Sequence, residues 1–106
     1  MSKTIPLWKP ALAELIGTFI FIAVILYVTT PNSQTVLIPL VIGLTLAIAI
    51  WFTLPISKGS MNPAVSIALG LRGDLTPVGC VVYIIAEIIG ALLAFAWWKY
   101  LVNSSV

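Results

Sequence analysis

The sequence predicts an all-α membrane protein with three transmembrane helices and one half-length helix that re-enters the bilayer from the side it left. Three observations lead there. Of the 106 residues, 61% are hydrophobic and only 8% charged, where an ordinary soluble domain carries about 25% charged residues. Three apolar runs, about 10–28, 36–54 and 77–100, approach or exceed the roughly 18 to 20 residues that a spanning helix needs. A fourth apolar run, about 63–71, lies between the second and third and is too short to cross.

The elements follow in order. The first helix starts near Pro10 and gives way to the polar turn Thr29-Thr30-Pro31-Asn32-Ser33-Gln34-Thr35. Pro39 falls in the first turn of the second helix, where its missing N–H costs little. Pro55-Ile56-Ser57-Lys58-Gly59-Ser60 is expected to break that helix. Asn62 at the N-cap and Pro63 at the first helical position then signal a new start. From Pro63 to Leu71 the helix is roughly 13 Å long at 1.5 Å per residue, close to half of a hydrocarbon core about 30 Å thick. A re-entrant helix of that length carries its positive dipole end to the middle of the membrane. Leu71-Arg72-Gly73-Asp74-Leu75-Thr76 is the exit loop, and Pro77 opens the third helix.

Aromatic residues mark the ends of the spans: Trp8, Trp51 with Phe52, and Trp97, Trp98 and Tyr100. They read as anchors at the headgroup level. Small residues recur four apart on each helix (Ala13 and Gly17; Gly43 and Ala47; Ala86, Gly90 and Ala94), a spacing that lets backbones approach closely in lipid. No stretch reads as a soluble domain, a linker or low complexity, so 1–106 is expected to form one unit. The N-terminal run is too long for a cleavable signal peptide and lacks a small-residue cleavage site.

A net charge of +2 is too small to imply nucleic acid. With no His and one Cys, the chain offers neither an intrachain disulfide nor a Cys/His metal site, and no cofactor is expected. Cys80 reads as a small buried apolar residue. The basic residues set the orientation. Lys3, Lys9, Lys58 and Arg72 fall on one side and Lys99 on the other, which predicts a cytoplasmic N-terminus and an outer C-terminus.

Two carboxylates, Glu14 and Glu87, lie inside apolar spans, where each costs a few kcal/mol unless it is hydrogen-bonded or paired. No basic residue lies inside a span to pair with them. A re-entrant loop has backbone N–H groups with no helical partner, and a Glu on each flanking helix is placed to accept them and clamp the loop. The competing reading is a proton or cation relay, as in small exporters that use a membrane Glu. Asn62 either only caps the half-helix or also aims its side-chain NH₂ at a permeating molecule. Gly59 allows close packing of the loop backbone, and Lys58 snorkels to the surface. No nucleophile–base pair or metal set is present, so enzyme chemistry is not expected.

At these residues the chain resembles the major intrinsic protein family, the aquaporins and glycerol facilitators. Asn62-Pro63-Ala64 matches the family signature, and Ile56-Ser57-Lys58-Gly59-Ser60-Met61-Asn62-Pro63-Ala64-Val65-Ser66 looks like its first pore loop. Glu14-Leu15-Ile16-Gly17-Thr18-Phe19-Ile20-Phe21 resembles the first helix, and Tyr83-Ile84-Ile85-Ala86-Glu87-Ile88-Ile89-Gly90-Ala91 the third. Glu87 stands where the family's first half often has Gln. Lys58 replaces a usual Gly, Ser60 a common His, and Ile42 falls at the aromatic filter position. The pore-loop and filter vicinity is then Gly59, Ser60, Met61, Val65 and Ile42.

Family members are about twice as long and carry two inverted repeats whose half-helices meet head to head. The resemblance implies half of an aquaporin-like fold, of the first-repeat kind, because Val65 rather than the second repeat's filter Arg follows the motif. It implies a channel subunit for passive permeation of water or small neutral solutes such as glycerol, with a pore only where two halves assemble in lipid. The partner is a second copy in inverted orientation or a separate second-half chain, and tetramers of such pores are the family's habit. A biased Lys/Arg count argues against the inverted homodimer. Two alternatives remain: a proton-coupled transporter subunit that uses a membrane Glu, and a non-conducting piece of a full-length channel.

Overall fold

The computed structural model describes residues 6–30 and 36–103. Lys3 and most of the first polar turn, Pro31 to Thr35, lie outside the described residues. Four α-helices follow one another: α1 (Trp8–Val28), α2 (Ile38–Ser57), α3 (Pro63–Arg72) and α4 (Pro77–Trp97), the last continued by a π-helical turn over Trp98–Val102. Three are long and apolar enough to cross a membrane, while α3 is a ten-residue helix. The outward faces are apolar, with Leu12, Ile16, Ile20, Leu44, Ile48 and Leu92 exposed, as a lipid-facing surface requires.

The core is a seam of small residues. α1 packs against both α2 and α4, and α3 packs against α4. Gly90 permits the α1–α4 approach: a Cβ there would stand 2.6 Å from the Leu15 carbonyl oxygen and 3.2 Å from the Phe19 nitrogen. Gly17 makes room for the Met61 thioether, since a Cβ on Gly17 would run into the Met61 sulfur. Ala86 and Ala94 are buried beside Gly90 on α4. The expected α2 seam does not form. Among the described residues Gly43 has nothing within 4 Å of an added Cβ, and both it and Ala47 are exposed, because α2 turns that stripe away from α1.

Contacts along the chain give the directions. Leu7 lies against Gly79, Leu15 to Phe19 against Gly90, and Phe19 against Trp97 at 6.5 Å between ring centroids, so α1 and α4 run parallel. Glu14 meets Ser57 and Gly17 meets Thr53, so α2 runs antiparallel to both. The segment 58–76 therefore leaves and returns at one end of the bundle. That end carries Lys9, Lys58 and Arg72, and Lys99 lies at the other.

Two of the boundaries that differ from the sequence expectation involve prolines. The first helix begins at Trp8, and Pro10 sits within its first turn, where no intrahelical N–H bond is needed. Pro55 does not end α2, which runs on to Ser57. The Ser57 side chain is tied to Glu14 at 2.6 Å, and the Lys58 N–H closes the helix on the Leu54 carbonyl at 3.0 Å. That anchoring offsets the one ladder bond Pro55 removes. The break comes at Lys58, in the left-handed conformation at φ 69°.

Candidate functional site

The site grows from a short, tightly wound loop. Lys58, Gly59 and Met61 have φ of 69°, 64° and 58°, three left-handed residues within four positions. Gly59 is suited to this, and a Cβ on it would also meet the Ile50 side chain at 2.8 Å and its carbonyl oxygen at 3.2 Å. Lys58 and Met61 adopt the same region against the cost that a side chain brings there, about 1 to 2 kcal/mol each.

A loop so wound cannot pair its own backbone, and Glu14 takes the free donors. Glu14 is 0% exposed. Its Oε1 accepts from the Met61 N–H at 2.8 Å, and its Oε2 accepts from the Ser60 N–H at 3.1 Å and the Ser57 hydroxyl at 2.6 Å. Met61, 2% exposed, is pinned in the slot beside Gly17.

Asn62 follows in extended conformation (φ −155°, ψ 128°) and caps α3, its Oδ1 accepting from the Ala64 N–H at 2.8 Å. Pro63 occupies the first helical position. The Asn62 carbonyl accepts the first ladder bond, from the Ser66 N–H at 2.9 Å. Asn62, Ala64 and Val65 are exposed, and among the described residues the Asn62 NH₂ has no hydrogen-bond partner. α3 ends on Gly73 at φ 98°, with Arg72 in its last turn.

Glu87 is 1% exposed but is used differently from Glu14. Its Oε2 is hydrogen-bonded at 2.8 Å to the hydroxyl of Ser66, one turn into α3, and it takes no loop N–H. That departs from the expectation that both carboxylates receive loop N–H groups, because the donors of residues 60 and 61 face α1 and are already taken by Glu14. Among the described residues, Glu87 Oε1 is buried with no partner. The Ser66 hydroxyl also lies 2.6 Å from that of Ser60, which reaches the Asn62 carbonyl at 3.2 Å. Ser66 gave no signal in sequence reasoning beyond its place after the motif, since its role depends on α3 lying against α4. Cys80 is half-buried rather than buried, and its thiol donates to the Ser66 carbonyl at 3.3 Å.

Glu87 is the eleventh of the 21 residues of α4, counting from Pro77. The Ser66 hydroxyl meets Glu87 while the Ser66 carbonyl meets Cys80, the fourth residue, so Ser66 lies between those two levels and Asn62, one turn earlier, lies alongside the middle of α4. Gly70, one turn further along α3, already meets Cys80, so α3 descends from the middle of α4 toward its N-terminal end. Ile42 lies on α2, half-buried. Two apolar grooves flank α1: one of about 410 Å³ between Leu12 and Ile85, the other of about 370 Å³ between Ile20 and Thr45. Neither reaches Asn62.

Comparison with known proteins agrees with this architecture. The family model described as Major intrinsic protein matches residues 1–106. Aquaporin Z of Photorhabdus laumondii is 36% identical over 91 residues, covering 79% of this chain and 39% of that protein. Glycerol uptake facilitator protein-like 6 of Lactiplantibacillus plantarum is 33% identical over 94 residues, 88% of this chain and 44% of that one. Aquaporin-2 of Botryotinia fuckeliana is 31% identical over 101 residues, 80% of this chain and 27% of that one. The chain thus spans between about a quarter and under a half of the length of these relatives. No solved structure matches it. A family match from end to end, with three helices fit to cross a membrane and a fourth, short one begun by Asn62-Pro63-Ala64, makes this multi-pass membrane chain a member of the major intrinsic protein family.

Proposed function

We propose that this chain is one half of a passive channel for water or small uncharged solutes such as glycerol, and that the pore forms where a second half presents an opposed helix N-terminus. One observation carries the proposal: Asn62 caps a short helix that starts alongside the middle of α4, and its NH₂ is exposed and unspent. The relatives named aquaporin and glycerol uptake facilitator support the permeant class.

The geometry supports the following mechanism. α3 is re-entrant, with its positive end near the bilayer midplane. Glu14 and Glu87 hold the segment, Glu14 by the loop backbone and Glu87 through Ser66. The Asn62 amide donates to the oxygen of a passing solute, while the positive helix ends repel cations and protons. The pore surface is Asn62, Pro63, Ala64 and Val65, with Gly59, Ser60 and Met61 supporting it and Ile42 widening the approach. This is transport and not catalysis. The second half is another copy in inverted orientation, a separate chain, or a further part of a longer protein of which this chain is a piece, because unpaired re-entrant backbone is not tolerated against lipid. The N-terminus faces the cytoplasm, on the side of Lys9, Lys58 and Arg72.

A proton-coupled transporter is the second reading, favoured by the unpartnered Glu87 Oε1. Flux from vesicles separates the two. A channel passes solute without a pH gradient, loses flux in Asn62→Ala and keeps it in Glu87→Gln. A coupled transporter needs the gradient and is silenced by Glu87→Gln.

A further inference from the structure

We propose that Glu87 enters its hydrogen-bond network as a neutral acid, donating to Ser66, so that one directed chain runs through Ser66 and Ser60 to the Asn62 carbonyl and helps fix Asn62 in its capping position. Three contacts make up the chain: Glu87 Oε2 to Ser66 Oγ at 2.8 Å, Ser66 Oγ to Ser60 Oγ at 2.6 Å, and Ser60 Oγ to the Asn62 carbonyl oxygen at 3.2 Å. Each joins two oxygens and needs one hydrogen. Ser60 and Ser66 bring one apiece and the carbonyl brings none. With Glu87 ionised, two hydrogens serve three contacts and one contact is empty. With Glu87 protonated, the count closes in a single direction, from Glu87 toward Asn62.

The surroundings point the same way. Glu87 is buried, and its Oε1 has no donor among the described residues. The groups that face it are Glu14 on α1, Tyr83 on its own helix, Ser66 on α3 and Ser60 on the loop, with no Lys or Arg among them. A bare carbonyl oxygen is a tolerable burial, whereas a bare carboxylate oxygen is not. Glu14 is the opposite case. Both its oxygens accept, and two of its three donors are backbone N–H groups that cannot reverse. Among the described residues Glu87 has a hydroxyl as its one hydrogen-bond partner, which can accept its proton.

Glu87 is in this account a positioning residue, acting on Asn62 through two hydroxyls. The inference does not rest on permeation and is testable without it. The measurement is the infrared carbonyl stretch of a protonated carboxylic acid, taken on this chain in lipid at neutral pH. The chain has only three acidic side chains, and Asp74 is paired with Arg72 outside the bundle. The band is expected in the wild type, lost in Glu87→Gln, and moved to higher frequency in Ser66→Ala, which takes away the acceptor of the acid proton. The Ser66→Ala shift decides the matter if Glu87→Gln does not fold. Absence of the band in the wild type, its persistence in folded Glu87→Gln, or an unmoved band in Ser66→Ala overturns the proposal.

Discussion

Glu14→Gln is the substitution that the structure makes most unequal to its counterpart. Glutamine keeps the shape of Glu14 but turns one acceptor oxygen into an NH₂. In one amide orientation the NH₂ confronts the Ser60 N–H, in the other the Met61 N–H, so at least one buried backbone donor is orphaned. That costs about 1 to 3 kcal/mol. The bonds that remain lose their charge assistance and about half their strength. The sum is a destabilisation of about 2 to 5 kcal/mol, set against under about 1 kcal/mol for Glu87→Gln, whose amide still donates to Ser66. Denaturant unfolding in micelles reads the totals, and amide hydrogen exchange at Ser60 and Met61 reads the site, each 1.4 kcal/mol being about tenfold in exchange. A Glu14→Gln protein within about 0.5 kcal/mol of wild type, or a Glu87→Gln protein equally destabilised, would refute this division of labour between the carboxylates.

Three other expectations are cheaper to check. Among Gly17, Gly43 and Gly90 in the long helices, Gly90→Ala is expected to cost most, about 3 kcal/mol, because its Cβ meets unyielding α1 backbone. Gly17→Ala costs about 1 to 2 kcal/mol, since the Met61 side chain can shift, and Gly43→Ala is silent; thermal unfolding of the three variants gives the order. Lys58→Gly removes a left-handed side-chain penalty and is expected to be neutral or to stabilise by up to about 1 kcal/mol, the greater entropy of an unfolded glycine offsetting part of the gain. The hydrogen bond from Arg72, ahead of its charge, holds the Asp74 carboxyl below the usual carboxylate range. A depressed carboxyl stabilises above its unfolded pKa and loses that contribution as pH falls through the folded value. NMR titration should find Asp74 still ionised where a free Asp is half protonated, near pH 3.9, and Arg72→Ala should bring it back up.

The fold was legible because lipid makes demands that composition cannot hide. Apolar run length marked the three long helices, and Asn62-Pro63 marked the start of the short one. What escaped the sequence depended on tertiary contact. Pro55 carries every local sign of a helix end, yet the Ser57–Glu14 bond and the Lys58 cap extend α2 past it. Gly43 and Ala47 have the spacing of a packing seam, but which stripe of a uniformly apolar helix faces inward is decided by its neighbours. Glu14 and Glu87 stood out equally as carboxylates in apolar spans. That one takes backbone donors and the other a hydroxyl follows from where the loop lies against α1 and α3 against α4. Ser66 is inconspicuous in the sequence and Ser60 is marked there only by its place in the pore loop, yet both are central in the network, because only the folded loop brings residues six apart to 2.6 Å.

The most direct test of the central claim is solute flux from vesicles carrying the purified assembly, followed by light scattering after an osmotic step with no pH gradient present. Water or glycerol movement faster than in empty vesicles, reduced in Asn62→Ala and unchanged in Glu87→Gln, is the predicted result. Flux no faster than in empty vesicles from folded and inserted protein, or flux that appears only with a pH gradient and vanishes in Glu87→Gln, would contradict it.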